Sequence, residues 1–149
     1  MPLWSVPAHT QRTPDVCWEA CGRMMWDWRH RDNREMQSKY ALVLFGIVNI
    51  VRRLNQLEMN FVYTELGLRH LVNPKGKNIR HALNWSPVVV PLLDQQLGHA
   101  VVVSGSTANG YVVVDPCGVN NGRVCQAANE STWSDAAIEG RLSHFIWYW

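Results

Sequence analysis

Residues 98–116 read Gly98-His99-Ala100-Val101-Val102-Val103-Ser104-Gly105-Ser106-Thr107-Ala108-Asn109-Gly110-Tyr111-Val112-Val113-Val114-Asp115-Pro116. Ala100–Ser104 and Tyr111–Val114 are apolar, β-branched runs of strand length. Thr107-Ala108-Asn109-Gly110 separates them, and an Asn-Gly pair between two such runs is a strong hairpin signal. Val88–Leu93 upstream and Phe145–Trp149 at the C-terminus have the same character. The second half of the chain therefore predicts an antiparallel sheet.

Upstream the period changes. Val16, Ala20, Met24 and Trp28 recur at helical spacing and predict a helix from about Pro14 or Asp15 to Trp28. Thr13 or Asp15 can cap its open N–H groups, and Pro14 suits a first-turn position. His30–Lys39 is polar and reads as a loop or a frayed turn. A second helix is predicted over Tyr40–Leu57, with Leu44, Ile47, Val48, Val51 and Leu54 on one side. A shorter one is predicted over Asn60–Leu68. Asn73-Pro74-Lys75-Gly76-Lys77 reads as a turn, and Ile79–Leu83 as one further helical turn. Helices first and strands after is an α+β arrangement. A length of 149 residues suits one domain, 1–149, around one hydrophobic core.

Composition narrows the partners. The formal charge is only +2. The densest basic cluster, Arg29, Arg31 and Arg34, is interleaved with Asp27, Asp32 and Glu35, so it reads as a solvated loop and not as a nucleic-acid footprint. Met1-Pro2-Leu3-Trp4 lacks the basic start and apolar run of a Sec-type leader. Ala41–Val51 contains Asn49 and meets Arg52-Arg53 too soon to span a bilayer. The expectation is a soluble protein with no membrane partner, cytoplasmic or exported without a leader. Eight tryptophans imply aromatic packing in the core or along a groove.

Four cysteines allow disulfides, a metal site or a nucleophile. Cys17 and Cys21 are four apart and share a helix face. Cys117 and Cys125 are eight apart in a Gly- and Asn-rich loop, a spacing compatible with a disulfide. Neither pair has the C-x2-C spacing usual for zinc, so no metal is expected.

Cys17 falls near the start of the first predicted helix, where open N–H groups and the positive dipole end favour a thiolate. Taken alone, a cysteine there is more often a structural core residue. His99 stands at the mouth of a strand after Gly98. Asp115 ends the next strand, so the two bracket the open end of the hairpin, where a carboxylate can hold the second nitrogen of the imidazole. Gln11 precedes Cys17 by six residues and offers an amide N–H2 to an oxyanion beside the thiol, together with the Cys17 backbone N–H. His9, His30, His70, His81 and His144 lack comparable partners and read as structural or solvated, with His144 the one rival to His99. Cys21 packs one turn behind Cys17. Trp18 either packs beneath the helix or, with Gly98, lines the substrate groove.

Gln11, five residues, then Cys17-Trp18 opening a helix resembles the start of papain-like cysteine peptidases. Gly98-His99-Ala100-Val101-Val102-Val103, followed by a strand ending Asp115-Pro116, resembles the compact bacterial branch of that clan. Its nearest known types are the bacteriocin-leader-processing peptidases and effector proteases similar to them. The resemblance implies a nucleophile helix packed on a C-terminal antiparallel sheet. It also implies Cys17 as nucleophile, His99 as base and later acid, Asp115 as orienter and Gln11 in the oxyanion hole. The larger papain enzymes place Asn third and separate Cys from His more widely, whereas Asp115 and the short spacing fit the compact branch. The expected activity is hydrolysis of a peptide or amide bond in a protein or peptide substrate, with no cofactor. A bacterial effector toxin, with a cognate inhibitor or immunity protein as partner, fits that setting. The competing readings are a cell-wall amidase, an acyltransferase or transglutaminase-like enzyme, and an inactive papain-like binding domain.

Overall fold

The computed structural model describes residues 3–10, 17–48, 52–93, 99–117, 120–121, 124–125 and 128–149. In chain order the elements are α1 (Cys17–Arg29), α2 (Arg34–Ser38), α3 (Tyr40–Ile47), α4 (Gln56–Leu66), β1 (Arg69–Val72), α5 (Gly76–Ala82), β2 (Val88–Leu92), β3 (His99–Thr107), β4 (Gly110–Asp115), β5 (Asn120–Asn121), β6 (Val124–Cys125), β7 (Asn129–Ser134), α6 (Asp135–Glu139) and β8 (Phe145–Tyr148). Six strands form one antiparallel sheet in the order β1-β8-β2-β3-β4-β7, and β5 pairs with β6 separately.

The valine runs are apolar at every position because helices cover both faces of the sheet. Val89, Ala100, Val102, Val114 and Trp147 pack with α1, α3 and α4 on one side. Val88, Val90, Val101, Val103, Val113 and Ile146 pack on the other, with Ile79 and Ala82 of α5 and Ile138 of α6. A fully buried valine contributes about 1.5–3 kcal/mol by leaving water, so these strands are the main apolar investment of the fold. The expected packing of α1 on the sheet is found.

Between His30 and Leu68 the helical boundaries differ from expectation in three places, and α5 starts at Gly76, inside the predicted turn. The helix predicted over Tyr40–Leu57 ends at Ile47, where Val48 is extended (φ −139°, ψ 125°). Chain direction is reset before Gln56 by a capping box, in which the Asn55 side chain accepts from Glu58 N–H and the Glu58 carboxylate accepts from Asn55 N–H. The following helix is thus Gln56–Leu66 and not Asn60–Leu68, closed by Gly67 at φ 103°. The polar segment His30–Lys39 contains a short helix, α2, whose N-cap Asn33 accepts from Met36 N–H. The start predicted for the first helix, including the caps Thr13 and Asp15, lies outside the described residues.

Two strands of the six-stranded sheet escaped the periodicity, as did the two-residue strands β5 and β6 and the helix α6. Arg69–Val72 and Asn129–Ser134 are the two edges of the sheet, largely exposed and mostly polar. The hairpin turn also differs: Thr107 pairs with Gly110, so the turn residues are Ala108-Asn109 and Gly110 begins β4. Neither Asn109 nor Gly110 needs a positive φ. Glycine is required at 110 because a Cβ there would lie 2.1 Å from the Trp133 carbonyl oxygen of β7.

Candidate active site

Cys17 is the first residue of α1 and 7% exposed. The N–H groups of a first helical turn have no partner within the helix and carry the positive end of its dipole. The pose of α1 is fixed from several sides by side chains bonding backbone carbonyls. The Tyr63 hydroxyl donates to Trp18 O (2.7 Å) and the Tyr40 hydroxyl to Glu19 O (3.0 Å). Burial pushes both phenols well up, so each remains a donor. Gly22 makes room for them, since a Cβ there would be 2.9 Å from the Tyr40 hydroxyl and 3.2 Å from the Tyr63 ring. At the other end of the helix, Trp149 Nε1 donates to Met25 O at 3.1 Å.

Trp18 corrects one expectation. It is 1% exposed and its Nε1 donates to Arg52 O at 2.7 Å. An indole enclosed on all sides presents no face to a substrate, so of the two alternatives it is the packing residue. Gly98, its expected companion, and Gln11 both lie outside the described residues.

His99 opens β3 and Asp115 closes β4. Their side chains meet, His99 Nε2 to Asp115 Oδ1, at 2.7 Å. The same Oδ1 accepts the Cys117 backbone N–H at 2.8 Å, a side-chain turn that holds the carboxylate in place. Cys117 is itself disulfide-bonded, whereas Cys17 and Cys21 are free thiols. The side chain of Cys125 lies outside the described residues. The Cys17 thiol is a hydrogen-bond partner of the same imidazole. With Nε2 on Asp115, the nitrogen left for sulfur is Nδ1.

The electrostatics follow from this placement. Burial works to push the His99 imidazolium down. The hydrogen bonds to Asp115 and Cys17, with the negative charge of both, outweigh it and raise the group to about 9. The Cys21 thiol is pushed well up, first by complete burial and then by negative charge at Cys17 and Asp115. Of the two free thiols, Cys21 is therefore the inert one.

Sequence reasoning missed a second histidine–carboxylate pair. His9 Nε2 lies 2.6 Å from Asp27 Oδ2, with Arg23 Nε 3.9 Å from the same oxygen. Asp27 Oδ1 is buried without a hydrogen-bond partner among the described residues. The pair joins the N-terminal arm to the far end of α1, across eighteen positions that no local pattern connects. His144, the rival to His99, is occupied through its backbone, which donates to Gln56 Oε1 and accepts from Asn73 N–H. No helix among the described residues is long and apolar enough to cross a membrane.

The sequence matches the family described as papain-like cysteine protease AvrRpt2 over residues 3–130. No curated protein matches it. Among solved structures, a putative C39-like peptidase from Bacillus anthracis is 14% identical with a TM-score of 0.66, covering 99% of this chain and 96% of that one. The peptidase domain of Streptococcus ComA, a bifunctional ABC transporter of a quorum-sensing pathway, is 13% identical with a TM-score of 0.64, covering 97% of both chains. A double-glycine-motif protease from an AMS/PCAT transporter, in complex with its leader peptide, is 12% identical with a TM-score of 0.63, covering 99% and 92%. These likenesses are of fold.

Proposed function

We propose, for a chain that belongs to the papain-like cysteine protease AvrRpt2 family, that Cys17, His99 and Asp115 act as its catalytic triad on a peptide bond. The observation that carries the reading is one imidazole held by Asp115 at 2.7 Å on Nε2 while its other side meets the thiol at the start of α1. With its value raised to about 9, the imidazole stays protonated at neutral pH beside the sulfur.

In this reading the Cys17 sulfur adds to the substrate carbonyl carbon, and the carbonyl π electrons move onto oxygen. The Cys17 backbone N–H and the Gln11 amide are the proposed donors to that oxyanion. Its collapse re-forms the carbonyl and breaks the C–N bond, while His99 Nδ1–H passes its proton to the departing amine. A thioester to Cys17 remains. His99, now neutral, takes a proton from water as the water oxygen adds to the thioester carbonyl. The C–S bond then breaks and returns the thiolate. Asp115 keeps the ring oriented and stabilises its positive charge throughout, without taking the proton.

The proposed substrate is an extended peptide or protein segment; the similar transporter protease is itself in complex with a leader peptide. The test is cleavage of a fluorogenic peptide library by the purified protein, with products identified by mass spectrometry. Amide hydrolysis that disappears in Cys17→Ala is the expected result. Full activity in a folded Cys17→Ala variant would overturn the assignment, and transfer to an added amine in place of hydrolysis would redirect it to acyl transfer.

A further inference from the structure

At the opposite end of α1 from Cys17, the chain encloses a cleft of about 520 Å³ that the proposed peptidase chemistry does not use. Its walls include Trp28, Arg29, Arg69, His81, Trp85 and Trp149. The volume falls within the roughly 300–1,000 Å³ usual for small-molecule sites. Two features set its chemistry. Among the described residues none of its lining side chains is a carboxylate, and Arg29 and Arg69 have no carboxylate partner. Aromatic rings accompany these charges. Arg29 lies 5.5 Å over the Trp149 ring, and His81 packs edge-on to Trp85 at 4.7 Å.

Trp85 is the unusual member. It is 57% exposed, although a tryptophan serving only the core would be enclosed as Trp18 and Trp147 are. Trp149, in contrast, is fixed: its backbone N–H donates to Ser86 Oγ at 2.9 Å and its Nε1 to Met25 O. Gly67 keeps the space beside that ring, since a Cβ there would come within 2.9 Å of Trp149 Cζ3. The cleft thus combines two arginines and the fixed Trp149 ring with an open aromatic face. Arginine forks match phosphate oxygens, and an exposed indole offers a surface for a planar ring.

We propose that this cleft binds a nucleoside phosphate, with the base stacked on Trp85 and the phosphates held by Arg29 and Arg69. The size and charge favour a single nucleotide over a polynucleotide, which needs an extended basic stripe and several stacking platforms. The site is separate from Cys17, His99 and Asp115, so it stands whether or not those residues are the triad.

The test is calorimetric titration of the protein with ADP, with adenosine and pyrophosphate titrated separately. ADP is expected to bind once per chain, more tightly than either fragment. Trp85→Ser and Arg69→Gln, both changes at the cleft, should each weaken it by about tenfold, the effect of losing one stacked ring or one charge-assisted contact. Unchanged melting temperature and peptide cleavage in the two variants would localise the effect. Absence of saturable binding up to about 1 mM ADP, or equal binding by wild type and both variants, overturns the proposal. Tighter binding of a short single-stranded oligonucleotide or an acidic peptide, lost in the same variants, would reassign the cleft to that ligand.

Discussion

His99 and Asp115 meet across the open end of the β3–β4 hairpin, His99 opening β3 and Asp115 closing β4, with Nε2 2.7 Å from Oδ1. Near the turn, Thr107 faces Gly110 and Gly105 faces Val112; beyond Ser104, Val103 faces Val113 and Val102 faces Val114. Ser104 is thus a bulge.

Asp115→Asn keeps the shape and removes the charge. The His99 imidazolium should then fall from about 9, and peptide cleavage should drop by about 10²–10⁴. Titration of the imidazole by NMR and a pH–rate profile check both. In the wild type the proposed active pair requires a charged His99, so activity should decline as pH rises through about 9. In the variant that decline should begin at lower pH.

The same group makes folding depend on pH. Its folded value lies above the ordinary 6.5, so the native state holds the proton more tightly. The stabilisation is complete below about 6.5, is lost as pH rises through about 9, and has an upper limit of about 3 kcal/mol. Urea denaturation between pH 6 and 10 should show this fall in the wild type and a smaller one in His99→Gln.

Iodoacetamide should distinguish the two free thiols. Cys17 meets the imidazole at the start of α1, whereas Cys21 is wholly enclosed and its thiol is pushed up. Labelling of the native protein should occur at Cys17 at least about 10² times faster than at Cys21, as read by peptide mass spectrometry. His99→Ala should slow the Cys17 reaction at pH 6–7.

Gly110→Ala should destabilise the sheet without touching the site residues. The new methyl would collide with a backbone oxygen, which cannot swing aside as a side chain would. A loss of about 1–3 kcal/mol in urea denaturation is expected. Native-like stability would mean that β7 moves away easily.

Asn55→Ala removes half of the capping box of α4. The expected cost is about 1 kcal/mol, or a fall of about 2–4 °C in melting temperature. Asn55→Asp, which retains an accepting oxygen, should recover most of it.

The central strands were legible in the sequence because burial on both faces leaves valine at every position from Val88 to Val90 and Val101 to Val103. The nucleophile candidate was legible because it adjoins a helix start. The edge strands Arg69–Val72 and Asn129–Ser134 were not, since one side of each faces solvent and their pairing is set by neighbours distant in the chain. The end of α3 was also hidden: the apolar spacing runs on past Ile47, and only the Asn55–Glu58 cap marks where the next helix begins. For His99 and Asp115, bracketing the open end of a hairpin was the correct cue. Ser104 carries no residue-type signal for the register shift in β3.

The meeting of Cys17 with His99 occurs across a boundary between layers, with the sulfur carried by a helix and the imidazole by the sheet. No hydrogen-bond ladder sets that spacing; it depends on how closely the core side chains of α1 seat on β3, reinforced by the tyrosine clamps. Peptide cleavage should therefore work as a strain gauge for this seam. A ligand, crowding agent or core substitution that lifts α1 by a fraction of an ångström would silence turnover while circular dichroism and melting temperature register almost nothing.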